Sequence, residues 1–210
     1  DDSAVHNVKS QLEIDARLDS RYRRRDLFEQ AINHRIAFKL VDVLPMLPML
    51  LSYYPDTKIV CMFRGYESVA ASLIQKRWFG PANTMSDVVQ GPWTKLAPDI
   101  PFWLPESMAY GWEQASPLDR CALYYATMYE PLLAMDRSNL CLLDYEDLVR
   151  DPQGQFQRVV DYVGAKATPQ TANLLKSVSL REGPVPYTLN QVRPDLQARV
   201  LAVLAGFGYG

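Results

Sequence analysis

Three short polar segments of this 210-residue chain each follow an apolar run, and their side chains are the ones best suited to chemistry. They span residues 39–42, 64–72 and 144–147. Within the second segment, Arg64 and Ser72 are the most informative pair. A guanidinium can hold a phosphate through two donors, and a hydroxyl can add a third. The pair therefore suggests an anion site, although an arginine bound only to backbone carbonyls would give the same pattern.

Apolar runs that alternate with helical segments predict the elements that position these residues. Strands are predicted over residues 36–41, 58–63 and 139–143. Helices are predicted over residues 1–35, 67–75, 117–135, 152–163 and 194–206, in a short segment ending near Tyr54, and in one starting at Thr168. Residues 79–115 look irregular, and their tryptophans either line a pocket or pack in the core. The alternation predicts one α/β domain over residues 1–210, with a parallel sheet flanked by helices on both faces.

Composition excludes several classes of protein. The 22 basic and 24 acidic residues give a formal net charge of −2, which argues against a dedicated nucleic-acid binder. No apolar stretch is long enough to span a membrane. The three cysteines are too few and too far apart for a disulfide framework or a zinc motif, so we expect buried thiols and no metal. With no signal peptide in view, we expect a cytoplasmic location.

Several segments in order resemble PAPS-dependent sulfotransferases of the bacterial and carbohydrate-type branch. They are "YYPDTKIVCMFRGYESVAAS", "LLDYEDLVRDP", "SLREGP" and "LAGFGYG", and the resemblance covers about residues 36–210. It implies a P-loop-NTPase-like sulfotransferase architecture. It also implies transfer of a sulfuryl group from 3′-phosphoadenosine 5′-phosphosulfate (PAPS) to a hydroxyl or amine of a small-molecule or carbohydrate acceptor, with PAP as the second product.

The resemblance also implies roles for five residues in binding PAPS. In that family an arginine and a serine eight residues later bind the 3′-phosphate, and Arg64 and Ser72 match this spacing. Tyr145, in the segment similar to the family's "YEDL", is expected near the adenine. Arg181 and Gly183 are expected in a loop that closes over the 3′-phosphate.

Two further residues are candidates for the transfer itself. Lys39 would stabilise negative charge on the leaving phosphate, because a lysine within an apolar strand is costly to bury without an anionic partner. Alternatively, its ammonium group reaches solvent at the strand edge. Asp42 is the candidate base, although an aspartate before Val-Leu-Pro is often part of a turn or cap. His34, before the same strand, is the other candidate.

Two departures from the family keep other functions open. The family's Gly-Ser/Thr-rich loop for the 5′-phosphosulfate is not found in residues 1–210. Either that loop and the first strand lie before residue 1, or this protein lacks the loop, which would argue against sulfuryl transfer. Glu182 stands where many relatives have lysine. The alternatives are a non-catalytic nucleotide-binding domain and a kinase of related architecture. The kinase is disfavoured because no Gly-x-x-x-x-Gly-Lys-Ser/Thr loop occurs.

Overall fold

The structure is a computed structural model that describes residues 44–76, 79, 101, 103–166, 175 and 186–209. The predicted helix over residues 1–35, the predicted strand over 36–41 and the predicted helix from Thr168 lie outside these residues. Four predicted site residues also lie outside them and stay predictions, namely Lys39, Asp42, Arg181 and Gly183. The single-domain organisation over residues 1–210 likewise stays a prediction.

Helices make up most of the described chain. The α-helices are α1 (Leu47–Tyr53), α2 (Tyr66–Gln75), α3 (Ala109–Gln114), α4 (Pro117–Leu133), α5 (Tyr145–Arg150), α6 (Pro152–Val163) and α7 (Pro194–Gly206). Short 3-10 helices cover Leu44–Met46, Glu106–Met108, Arg137–Asn139 and Leu189–Gln191. The strands are β1 (Ile59–Phe63) and β2 (Leu140–Asp144). Both predicted strands that fall in the described part of the chain are thus confirmed.

The two strands form a small parallel sheet. Their register pairs Ile59 with Leu140 and Phe63 with Asp144. The side chains of β2 are buried from residue 140 to 143, as expected for a parallel strand covered on both faces. In β1 the alternate residues Val60 and Met62 are 40% and 51% exposed. The prediction of a parallel sheet flanked by helices therefore holds for β2, whereas one face of β1 is accessible.

The prediction of an irregular segment over residues 79–115 is wrong for its last part. Glu106–Met108 is a 3-10 helix that leads directly into α3. The reason is aromatic packing: Trp112 of α3 lies 5.4 Å from Trp103 and 5.3 Å from Phe79, measured between ring centroids. Trp103 and Trp112 are 5% and 3% exposed, so both are core residues and do not line a pocket.

Helix α4 lies at the centre of the described core. Its Tyr125 packs edge-on against Tyr66 of α2, with ring centroids 5.7 Å apart. Helix α4 also packs against α7, whose Val200 is fully buried in the same hydrophobic cluster as Tyr125 and Tyr66. Near the end of α4, Leu132 belongs to a second cluster with Phe63 of the sheet. One helix therefore joins α2, α7 and the strands, and it fixes where the strand ends lie.

The three cysteines are all free thiols, and all are buried. Burial raises the pKa of Cys61 and of Cys121 to about 12. The expectation of buried thiols without a disulfide is confirmed.

A buried carboxylate joins the starts of α4 and α7. The Ser116 side chain caps α4 by accepting a hydrogen bond from the Asp119 backbone at 3.1 Å, and its hydroxyl donates to Oδ2 of Asp119 at 2.8 Å. The Arg193 backbone N–H donates a hydrogen bond to the other oxygen, Oδ1 of Asp119, at 2.9 Å. Since Asp119 is only 6% exposed, its carboxylate would be costly to bury without these hydrogen-bond donors.

Replacing Asp119 by alanine should therefore destabilise the fold. We expect Asp119→Ala to lower the free energy of unfolding by about 1.5–3 kcal/mol, because hydrogen bonds to a buried charge are lost. Urea unfolding followed by circular dichroism measures the change. Asp161→Ala is the control, since within the described part of the chain that exposed side chain accepts a single hydrogen bond, from Gln157. An equal loss in both variants would contradict the role of Asp119.

Candidate functional site

The register of the sheet brings two predicted site residues together. Because Phe63 pairs with Asp144, the next residues, Arg64 and Tyr145, leave the carboxyl ends of the two strands side by side. The guanidinium carbon of Arg64 lies 4.5 Å from the centroid of the Tyr145 ring. Ligands in α/β folds bind at this edge of the sheet. A cation stacked on an aromatic ring at this edge is thus well placed to meet an anionic, ring-containing ligand.

Arg64 is fixed at both its backbone and its side chain. The Tyr125 hydroxyl donates a hydrogen bond to the Arg64 carbonyl at 2.8 Å. Nε of Arg64 donates to Oε1 of Glu146 at 3.0 Å. The two side chains of this ion pair are 28% and 33% exposed. Within the described part of the chain, Nη1 and Nη2 of Arg64 donate no hydrogen bond, so two donor nitrogens face no described partner.

Glu146 belongs to a cluster of two carboxylates around one phenol. The Tyr209 hydroxyl lies 2.5 Å from Oδ2 of Asp144 and 3.0 Å from Oε2 of Glu146. Burial, followed by the hydrogen bonds to these carboxylates, raises the pKa of Tyr209 above its usual range. Tyr209 therefore stays protonated, and its single hydroxyl hydrogen is shared between the two carboxylates, of which Asp144 is the nearer.

Helix α5, which follows β2 directly, is capped by the last residue of that strand. The cap is Asp144, whose Oδ1 accepts a hydrogen bond from the Asp147 backbone at 3.0 Å. The Asp147 carboxylate accepts from Arg150. Glu146 and Tyr209 were both missed as site residues. A polar tyrosine within the glycine-rich ending "GFGYG" was the only sequence signal for Tyr209.

Helix α2 begins directly after Arg64 and contributes an electropositive end to the site. Its N-cap is Gly65, which has no side chain to cap it, and within the described ranges no side chain accepts a hydrogen bond from the amides of the first turn, which also carries the acidic Glu67. Such an uncapped N-terminus favours an anion. The uncapped start of α2 and Arg64 are thus neighbours in the chain at this edge of the sheet.

Ser72, the other predicted phosphate ligand, lies on α2 about two turns after Arg64. The helical period places it on the same side as Ser68, away from the buried residues Tyr66 and Ala70. It is partly exposed, and its hydroxyl makes no hydrogen bond with any other described residue. The structure therefore leaves Ser72 accessible but does not join it to Arg64 by a direct hydrogen bond.

The described residues hold no group of three or more His, Cys, Asp or Glu side chains arranged for a metal ion. None of the helices in the described ranges combines the length and the apolar character that crossing a membrane requires.

Comparison with known proteins places the chain in a family. The profile of the sulfotransferase family matches residues 6–169, a span that includes Arg64, Ser72 and Tyr145. It starts earlier than the resemblance noted in the sequence, and it ends before the "SLREGP" segment. No curated protein matches the chain. No solved structure matches it either.

The carboxylate cluster predicts an acid dependence of stability. Burial alone would raise the pKa of Asp144, but hydrogen bonds from Tyr209 and from the backbone of Asp147 and Glu146 lower it below the usual 3.8. The unfolded chain then binds the proton more readily, so the contribution of Asp144 is present above pH 3.8 and is lost as the pH falls through the folded-state pKa.

We therefore expect Asp144→Asn to flatten the loss of stability below pH 3.8, as measured by urea unfolding at a series of pH values. Asp161 lies on α6, outside this cluster, so the stability of Asp161→Asn should change with pH as that of the unmodified chain does. Parallel pH curves for Asp144→Asn and the unmodified chain would contradict this account of the cluster.

Proposed function

Because this chain belongs to the sulfotransferase family, we propose that it transfers a sulfuryl group from PAPS to a hydroxyl or amine of a small-molecule or carbohydrate acceptor, leaving PAP. The observation that carries the proposal is the placement of Arg64. This residue lies at the carboxyl end of β1, stacked on Tyr145 and next to the uncapped start of α2. The proposal includes a P-loop-NTPase-like sulfotransferase architecture.

The 3′-phosphate of the donor is the group that fits this arrangement. Nη1 and Nη2 of Arg64 can grip two phosphate oxygens, since Nε is already used by Glu146. The backbone amides at the start of α2 supply further donors of the kind that bind phosphates. The accessible hydroxyl of Ser72 is the third contributor in this proposal, and Arg181 and Gly183 close over the same phosphate.

The adenine of the donor is assigned to Tyr145. This side chain is partly exposed, and it lies beside the proposed phosphate ligand Arg64. Aromatic side chains bind nucleobases by stacking, which tolerates modest shifts of the ring. A phosphate contact and a base contact on adjacent residues suit a nucleotide that carries its 3′-phosphate close to the adenine.

Lys39 and Asp42 are the proposed residues of the transfer step. The donor supplies the sulfuryl group, which moves to the acceptor oxygen or nitrogen as its bond to the 5′-phosphate breaks. Lys39 stabilises the negative charge on that phosphate, and Asp42 accepts the proton that the acceptor loses. Both lie outside the described residues, so Lys39 is assigned from its place in an apolar run and Asp42 as the nearest carboxylate at the end of that run.

Three measurements separate this proposal from a non-catalytic nucleotide-binding domain or a kinase. Incubation of the full-length protein with PAPS labelled in the sulfuryl group and a panel of hydroxyl and amine acceptors should give a labelled product. Tight binding of PAP without transfer to any acceptor would favour the non-catalytic domain. Transfer of the terminal phosphate of labelled ATP to an acceptor would favour the kinase.

Binding of PAP tests the placement of the phosphate directly. We expect Arg64→Ala to weaken PAP binding, measured by calorimetry, by about 1.5–3 kcal/mol, because charge-assisted hydrogen bonds to the 3′-phosphate are lost. Binding of adenosine 5′-monophosphate, which lacks that phosphate, should change little.

Arg150→Ala is the matched control, since Arg150 lies at the exposed end of α5 with a side chain that is 75% accessible. Equal PAP affinity in Arg64→Ala and the unmodified chain would remove Arg64 from the proposed site.

A further inference from the structure

We infer that Tyr209 is a positioning residue for the guanidinium of Arg64, acting through the carboxylate of Glu146. The inference rests on the proposed function, in which Arg64 binds the 3′-phosphate. The Tyr209 hydroxyl lies 3.0 Å from Oε2 of Glu146, while Oε1 of the same carboxylate accepts from Nε of Arg64 at 3.0 Å. Each oxygen of the Glu146 carboxylate thus contacts a donor group, although the phenol shares its single hydrogen with Oδ2 of Asp144 at 2.5 Å. Glu146 in this way links the phenol to the guanidinium.

Tyr209 itself is held by the core. Its ring packs edge-on against Phe63 of β1, with centroids 5.6 Å apart, and Phe207 packs against the same Phe63 at 4.8 Å. The Tyr209 backbone N–H donates to the Leu204 carbonyl at 2.9 Å. The phenol therefore provides a fixed point, set by packing and by a backbone hydrogen bond at the end of α7.

Arg64 and Glu146 need such a fixed point. An ion pair that is about one-third exposed is weak, because two long side chains lose rotamer freedom and water screens their charges. With Oε2 bound to Tyr209, the Glu146 carboxylate has one main orientation. The guanidinium is planar, so fixing Nε against Glu146 and its face against Tyr145 also fixes the direction of Nη1 and Nη2. Less freedom is then lost when a phosphate binds.

The Tyr209 hydroxyl shares its hydrogen with Asp144 as well as Glu146, but a different oxygen of Asp144 serves the helix that follows. The hydroxyl lies near Oδ2 of Asp144, whereas the cap of α5 uses Oδ1. Removing the hydroxyl therefore leaves the cap, and with it the start of α5 at Tyr145, in place. Loss of the phenol hydroxyl should thus loosen Arg64 more than Tyr145.

This difference gives a selective test in the full chain. We expect Tyr209→Phe to weaken PAP binding by about 3- to 10-fold, the effect of one hydrogen bond, with adenosine 5′-monophosphate binding unchanged. In an Arg64→Ala background, Tyr209→Phe should have no further effect on PAP binding. Tyr129→Phe is the matched control, because Tyr129 contacts Phe207 in the same aromatic cluster but donates to the Met62 carbonyl.

The outcomes separate this inference from the proposed function. If Arg64→Ala weakens PAP binding and Tyr209→Phe does not, the inference fails and the proposed function stands. An equal loss for both nucleotides in Tyr209→Phe also overturns it, since that result indicates a general structural defect. If Arg64→Ala leaves PAP binding unchanged, the proposed site itself fails. Should Tyr209→Phe not fold, Glu146→Gln replaces it, with the same selective loss of PAP binding expected and unchanged binding overturning the inference.

Discussion

The candidate site depends on the parallel pairing of β1 with β2. The strands end together at Phe63 and Asp144, so the chain leaves both of them at one edge of the sheet. The residues that follow, Arg64 on one side and Tyr145 and Glu146 on the other, can contact each other only in this register. A slip by one residue would turn every side chain of a strand to the opposite face and separate these groups.

Helix α4 connects the hydrophobic core to this edge of the sheet through a hydrogen bond. Its Tyr125 is fully buried between α2 and the strands, yet its hydroxyl donates to the carbonyl of Arg64. Burial raises the pKa of Tyr125 above its usual range, so the phenol remains a donor. The backbone at the proposed phosphate ligand is therefore held by the best-packed helix of the described chain, and its side chain by Glu146 and Tyr209.

Much of this fold follows from local sequence, and the site follows only in part. Apolar runs and proline or serine at helix starts predict β1, β2, α4, α6 and α7, because those signals are local. Helix α5 was not predicted, since its six residues follow a strand directly and carry mostly polar side chains. Arg64 and Tyr145 were found through strand ends and family motifs. The contacts of Glu146 with Arg64 and with Tyr209 could not be predicted from local sequence, because these residues are 82 and 63 positions apart in the chain.

The buried thiol of Cys61 lies two residues before the last residue of β1, close to this arrangement. Oxidants and alkylating agents attack the thiolate, and a thiol whose pKa is about 12 has almost none of that form at neutral pH. Burial in the folded strand therefore protects the Cys61 thiol itself from oxidation and alkylation. Any labelling of Cys61 requires β1 to open first, so its rate would report local unfolding at the edge where the nucleotide is proposed to bind.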